Sequence, residues 1–144
     1  MKIAIGSDHA GYEYKEKLKC WLSENNYEVL DEGCGSEDAV DYPVYAKRVC
    51  NRVLSRDADF GILFCGTGIG MSMAANKIKG IRAACCGDIK SAELTRQHND
   101  ANVLCMGASI IGFVTVREIT KTFLNNLFVG GKHKNRVDML EGNL

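Results

Sequence analysis

Net charge is the first thing missing from this chain: 18 Lys and Arg side chains are matched by 18 Asp and Glu. Without an excess of either sign there is no electrostatic basis for a dedicated nucleic-acid or membrane-surface binder, although a local anion site stays open. No apolar run approaches the ~18–20 residues that a bilayer span requires. The N-terminus passes from Met1-Lys2 through a short apolar stretch into Ser7-Asp8-His9, too brief for the core of a secretion signal. The expectation is a cytoplasmic protein with no nucleic-acid or membrane partner. Histidine is scarce, at three well-separated positions, and no two cysteines form a C-x-x-C pair, so no structural zinc site is expected. Proline occurs once, at Pro43, where it suits the start of a helix.

Cysteine, by contrast, is plentiful, with seven at positions 20, 34, 50, 65, 85, 86 and 105. The number is odd, the spacings are irregular, and positions 20, 50, 85 and 105 fall inside apolar periodic segments. A chain of 144 residues, 46% hydrophobic and 25% charged, buries a core large enough to do without disulfide staples. Reduced thiols serving mostly as small core hydrophobes are expected, and a cysteine given a chemical role has to stand out from that background.

Apolar patterning alternates between short β-type runs and longer helical periods. Ile3-Ala4-Ile5 opens a first strand, and Tyr14, Leu18, Trp21 and Leu22 recur on one face of a helix. Strands are predicted at 27–30, 60–64, 81–85 and 103–106. Helices are predicted after Asp41, over 71–76 and 91–97, and after Thr115-Val116-Arg117-Glu118, which has the form of a capping box. Phe60 to Phe64 is nearly all apolar, as a parallel strand covered on both faces should be. Five strands alternating with about five helices predict one doubly wound α/β domain over 1–144. This is a three-layer, Rossmann-like arrangement with a mostly parallel sheet in the order 2-1-3-4-5. Ligands in such sheets bind beyond the carboxyl ends of the strands, where the strand order reverses. Ser7-Asp8-His9 and Cys65-Gly66-Thr67 should therefore share one crevice.

Within Cys65-Gly66-Thr67-Gly68-Ile69-Gly70, glycine at every second position lets the backbone turn tightly. Its N–H groups then come close to an anionic oxygen, ahead of the positive end of a helix. A tight strand-to-helix turn with no ligand would use the same glycines. No Walker Lys follows, and Met71 occupies the position of both the third dinucleotide glycine and the phosphatase arginine. Cys65, between a central strand and a helix N-terminus, sits where a thiolate can serve as nucleophile or general base, or simply as a buried strand-end thiol. Asp8 and His9 could handle sugar oxygens and phosphate, or Asp8 could cap the next helix. His98, followed by Asn99 and Asp100, could be an acid–base group or a charge at a helix C-terminus. Gly130-Gly131-Lys132-His133-Lys134-Asn135-Arg136 reads as a flexible joint followed by four basic side chains, suited to one phosphate or to a solvated tail.

Several of these blocks, taken in order, resemble one family. They are Ser7-Asp8-His9-Ala10-Gly11, Asp41-Tyr42-Pro43, Cys65 to Gly70, Ala74-Ala75-Asn76-Lys77, Arg96-Gln97-His98-Asn99-Asp100 and Gly130-Gly131-Lys132-His133. Together they resemble the ribose-5-phosphate isomerase B family, which also includes the galactose-6-phosphate isomerase subunits. The likeness runs from about residue 2 to residue 137. It implies an isomerase needing neither metal nor cofactor, interconverting ribose 5-phosphate and ribulose 5-phosphate through an enediolate. By the resemblance, Cys65 moves the proton between C2 and C1, and Thr67 with the N–H groups of Gly66, Gly68, Ile69 and Gly70 holds the oxyanion. Asp8 binds hydroxyls, His98 assists ring opening beside Asn99, and His9, Lys132 and Arg136 hold the phosphate. It further implies a homodimer or homotetramer whose site joins two subunits, with the His98 segment coming from the neighbour. The C-terminal segment 130–144 would complete the site or the interface.

Three positions depart from the family pattern. Lys132 and Ser109 stand where Arg is common, so the phosphate clamp loses bidentate contacts. Met71 stands where one branch carries a Glu base, which leaves Cys65 as the base here. Alternative substrates are a hexose 6-phosphate of allose or galactose type or a free aldose. Alternative roles are a non-catalytic sugar-phosphate sensor or a nucleotide-binding module, the last disfavoured by the absent third glycine.

Overall fold

Strand alternation decides the architecture. In Ile3-Ala4-Ile5, Ile62-Leu63-Phe64-Cys65 and Val103-Leu104-Cys105-Met106, successive residues go to opposite sides of the sheet, and both sides are buried. Ile3, Ile5, Ile62, Phe64, Leu104 and Met106 join one apolar cluster with Leu18, Leu22, Ile119 and Phe123. Ala4, Leu63, Cys65, Val103 and Cys105 join a second with Val49, Cys50, Met71 and Ala75. A sheet buried on both faces needs helices on both faces, which gives three layers.

The computed structural model describes residues 1–142. Its strands are β1 (Lys2–Ser7), β2 (Glu28–Asp31), β3 (Phe60–Cys65), β4 (Ala83–Cys85) and β5 (Val103–Gly107). Its helices are α1 (Tyr12–Glu24), α2 (Tyr42–Leu54), α3 (Ile69–Asn76), α4 (Ile89–Asn99), α5 (Phe113–Asn125) and α6 (Lys132–Glu141). All strand pairs are parallel. No helix among the described residues is long and apolar enough to cross a membrane.

The sheet order is β2-β1-β3-β5-β4, which corrects the expected 2-1-3-4-5 by exchanging the last two strands. Burial gives the reason. Every residue of β5 is buried, whereas β4 has three residues, none of them buried. A short, partly exposed strand belongs at an edge, and a fully apolar one between neighbours. Asn76 blunts that edge, its side-chain amide pairing with both the carbonyl and the N–H of Ala83 at 2.9 and 2.8 Å.

Other expectations also shift. The capping box at Thr115 does not form, because α5 starts at Phe113 behind Gly112 with no side-chain cap. Starting there lets Phe113 pack edge-on against Tyr14, with ring centroids 5.5 Å apart. Cys20 and Cys85 are exposed rather than core thiols. The basic segment after Gly131 is no tail but a sixth helix, α6, anchored by buried Val137.

The chain moves from β1 outward to β2, then crosses back to β3 on the other side of β1. That reversal places the switch point between the carboxyl ends of β1 and β3, as expected from the pattern.

Candidate active site

Cys65 closes β3 and is 5% exposed. Gly68 follows in the left-handed region at φ 78°, which turns its N–H onto the Cys65 sulfur at 3.1 Å. Thr67 Oγ1 accepts the N–H of Ile69 at 3.2 Å. Gly70 and Met71 carry the remaining first-turn N–H groups of α3, which a helix cannot satisfy internally. Of the five loop donors expected at an oxyanion, the structure therefore commits two, Gly68 to the sulfur and Ile69 to the Thr67 hydroxyl. A thiolate at Cys65 has a hydrogen-bond donor and a helix N-terminus beside it.

Neighbouring packing holds this loop rigid. Carbonyls of Cys65 and Gly66 accept the N–H groups of Ala108 and Ser109, both at 2.9 Å. Gly107 must be glycine, since a Cβ there would lie 2.6 Å from the Thr67 carbonyl group. The Ser109 hydroxyl lies against Gly66, and the Tyr42 ring lies against Gly70. Neither Tyr42 nor Cys85, whose sulfur lies 3.8 Å from the Thr67 carbonyl oxygen, stands out in the sequence as a neighbour of this loop. Burial pushes the Cys50 and Cys86 thiols up to about 12. Loss of solvent on the covered side of its sulfur raises Cys85, although the residue as a whole is exposed, and complete burial raises Cys105 well above its ordinary value, with nearby cysteines adding to both. Those four are protonated thiols near neutral pH.

At the end of β1, the Asp8 N–H donates to the Phe64 carbonyl at 3.2 Å, which ties Asp8 to the strand that delivers Cys65. One Asp8 carboxylate oxygen accepts the Gly11 N–H at 3.1 Å, so the capping role and a place at the crevice coexist. His9 Nδ1 accepts the Val40 N–H at 3.2 Å, which puts the hydrogen of the neutral ring on Nε2.

The second group of candidates lies elsewhere. His98 and Asn99 end α4, and the His98 ring stacks on His133 with centroids 4.1 Å apart and planes at 5°. Lys132 opens α6 and Arg136 lies one turn on. Lys134 is spent on Asp138 at 2.6 Å, whereas Lys132 and Arg136 have no acidic partner among the described residues. Loss of solvent, then the positive charges of His98, Lys132 and Arg136, hold the His133 pKa below its ordinary value. Like charges gathered this closely disfavour a further proton on the ring. Sequence reasoning counts His133 only as one of four basic side chains in this segment and gives it no contact with His98. Only the fold of α6 onto α4 reveals it.

The two groups do not meet within one chain. Helices that connect parallel strands run back across the sheet, so the end of α4 lies at the amino edge. Arg96 confirms it: its guanidinium stacks 4.8 Å from the ring of Phe60, the first residue of β3. Cys65 is the last residue of that strand. At ~3.3 Å per residue, the five steps between them span about 16 Å.

Fold and site thus define a class: a doubly wound α/β protein with a buried thiol and a glycine turn at its switch point and a separate cluster of basic side chains. Within it, the sequence model of the Ribose/Galactose Isomerase family matches residues 3–140, and the chain belongs to that family. It is 44% identical over 139 residues to ribose-5-phosphate isomerase B of Escherichia coli, covering 96% of this chain and 93% of that protein. It is 49% identical over 138 residues to a putative sugar phosphate isomerase of Bacillus subtilis, covering 95% and 93%. The structure of a ribose 5-phosphate isomerase from Thermotoga maritima superimposes with a TM-score of 0.96 at 51% identity, covering 97% of each chain.

Proposed function

We propose that this chain is an aldose–ketose isomerase that interconverts ribose 5-phosphate and ribulose 5-phosphate. The observation that carries the reading is the Gly68 N–H on the Cys65 sulfur, at the switch-point crevice and at the head of α3. A base there removes the C2 proton of the open-chain aldose, electron density moves to the carbonyl oxygen, and an enediolate forms. Transfer of a proton between the two oxygens, aided by Asp8, and return of the Cys65 proton to C1 yield the ketose. Thr67 and the remaining N–H donors of Gly66 and Gly70 are placed for the oxyanion, the kind of preorganised stabilisation that lowers such barriers most. The reading asks for no metal or cofactor.

His98, Asn99, Lys132 and Arg136 enter from a second copy. Two chains lying antiparallel about a twofold axis set the carboxyl edge of one sheet against the amino edge of the other, and do so twice. Exposed apolar side chains at both edges support this: Ile69 and Met73 on α3, and Leu127, Val129, Met139 and Leu140 around α6. In the dimer, or in a tetramer of such dimers, His98 with Asn99 opens the furanose ring. His9, Lys132, Arg136 and the added His133 hold the phosphate. The chain works as one domain in the cytoplasm.

The test is turnover of ribose 5-phosphate by the purified chain in EDTA, beside Cys65→Ala. General acid–base groups are worth about 10²–10⁴-fold. The variant is expected to lose at least about a thousandfold in kcat while still binding inorganic phosphate. Activity surviving in Cys65→Ala would move the proton transfer to another base. An inactive wild type would send the search to hexose 6-phosphates and free aldoses, and failure on those would leave a sensor.

A further inference from the structure

One of the largest fully buried side chains among the described residues is charged. Lys15, on α1, is 1% exposed. Its ammonium donates to both carboxylate oxygens of Asp31 at 2.9 and 2.8 Å and to Glu16 at 2.7 Å, and it lies 5.3 Å from the Tyr12 ring. A buried ion pair is a poor device for stability alone, because desolvation consumes most of the attraction and apolar residues of equal volume do as well. Geometry is what such a pair fixes well.

The geometry here leads to the site. Asp31 ends β2, and its Oδ1 also accepts the Gly33 N–H at 3.0 Å. The Gly33 carbonyl accepts the Ser7 N–H at 2.7 Å, and the Cys34 N–H donates to the Ser7 carbonyl at 2.9 Å. Ser7, wholly buried, is the last residue of β1 and is followed at once by Asp8 and His9. A path of hydrogen bonds and backbone therefore runs from a buried ammonium to Asp8, whose N–H is tied to the carbonyl of Phe64, the residue before Cys65.

We propose that Lys15 is a positioning residue: through Asp31 and Gly33 it sets the direction in which β1 presents Asp8 to the crevice. This rests on the reading that Asp8 handles the substrate's hydroxyls. Small misplacements of a contacting group cost up to about a hundredfold in rate.

The experiment is a double-mutant cycle of Lys15→Met and Asp8→Asn, with kcat and KM for ribose 5-phosphate measured on each folded chain. Lys15→Met is expected to lower kcat about tenfold or more with a smaller change in KM. It should shift the amide resonances of Ser7, Asp8 and His9 without ligand. In the Asp8→Asn background the same substitution should change kcat less than twofold, because the group it positions is already gone. An undiminished loss in that background, or wild-type kcat in Lys15→Met alone, overturns the proposal. Wild-type kcat in Asp8→Asn would instead remove the role of Asp8, a separate failure visible before the cycle is closed. Should Lys15→Met not fold, Asp31→Asn makes the same comparison from the more exposed end of the pair.

Discussion

The thiol region and the basic region are built by opposite means. Around Cys65 the backbone does the work: a left-handed Gly68, a Gly107 with no room for a Cβ, and carbonyls clamped by the turn after β5. Around His98 and His133 the side chains do it, held by ion pairs: Arg96 and Arg82 both bind Asp100, at 2.7 and 3.3 Å, and Arg82 also reaches Glu141 of α6 at 2.5 Å. The first region is set in the core and changes little without unfolding something. The second is a half-exposed cluster of like charge, which on the proposed function is neutralised by the substrate's phosphate. A proton-moving base needs fixed geometry, whereas a phosphate holder needs charge and tolerates adjustment.

Mixing variants gives the largest expected effect on that contrast. Cys65→Ala and Arg136→Gln should each be nearly inactive at low substrate. If the regions serve one site from two chains, unfolding and refolding them together in equal amounts should restore about a quarter of wild-type activity. Half the random dimers are mixed, and each mixed dimer holds one intact site of two. Recovery no greater than the sum of the parents would place both regions in one chain's own site.

Arg136→Gln alone comes next. A charge-assisted hydrogen bond is worth about 1.5–3 kcal/mol, so KM should rise roughly 10–100-fold with kcat within a few-fold. A fall in kcat at unchanged KM would contradict a phosphate-holding role.

Gly107→Ala probes the thiol region from behind. A methyl 2.6 Å from the Thr67 carbonyl group has to push backbone, not a flexible side chain. A loss of about 1–3 kcal/mol in urea unfolding is expected, with reduced kcat. Unchanged stability and turnover together would show that the loop yields more easily than its packing indicates.

The smallest effect concerns acid. Burial raises the Asp31 pKa, but hydrogen bonds from Lys15, Lys19 and the Gly33 N–H outweigh it and hold the carboxyl below its ordinary value. A group lowered on folding contributes fully above its unfolded pKa of ~3.9, and its contribution fades as pH falls through the folded value. The urea midpoint of the wild type should therefore drop between about pH 5 and about pH 2. Asp31→Asn should drop less, and an equal drop would count against this pairing.

Much of this was legible before any coordinates. Glycine spacing after Cys65 and the apolar run before it place a tight loop at the end of a central strand, because both signals are local. The order of β4 and β5 was not, since it depends on which strand the rest of the molecule covers. Helix α6 was hidden by composition: Lys132-His133-Lys134 has no apolar periodicity, and its single anchor, Val137, gains meaning only against α4. The stacking of His133 on His98 was hidden for the same reason.

Local chemistry along the chain settled that a thiol, a glycine turn and a strand end fall together, for those are neighbours in sequence and short-range sterics leave few alternatives. Tertiary structure alone decided that Lys15 lies buried against Asp31 and that His98 faces His133. It also decided that the basic cluster lies a strand's length from Cys65. These are contacts between segments far apart in the chain, chosen by how the whole sheet is covered rather than by any stretch of it.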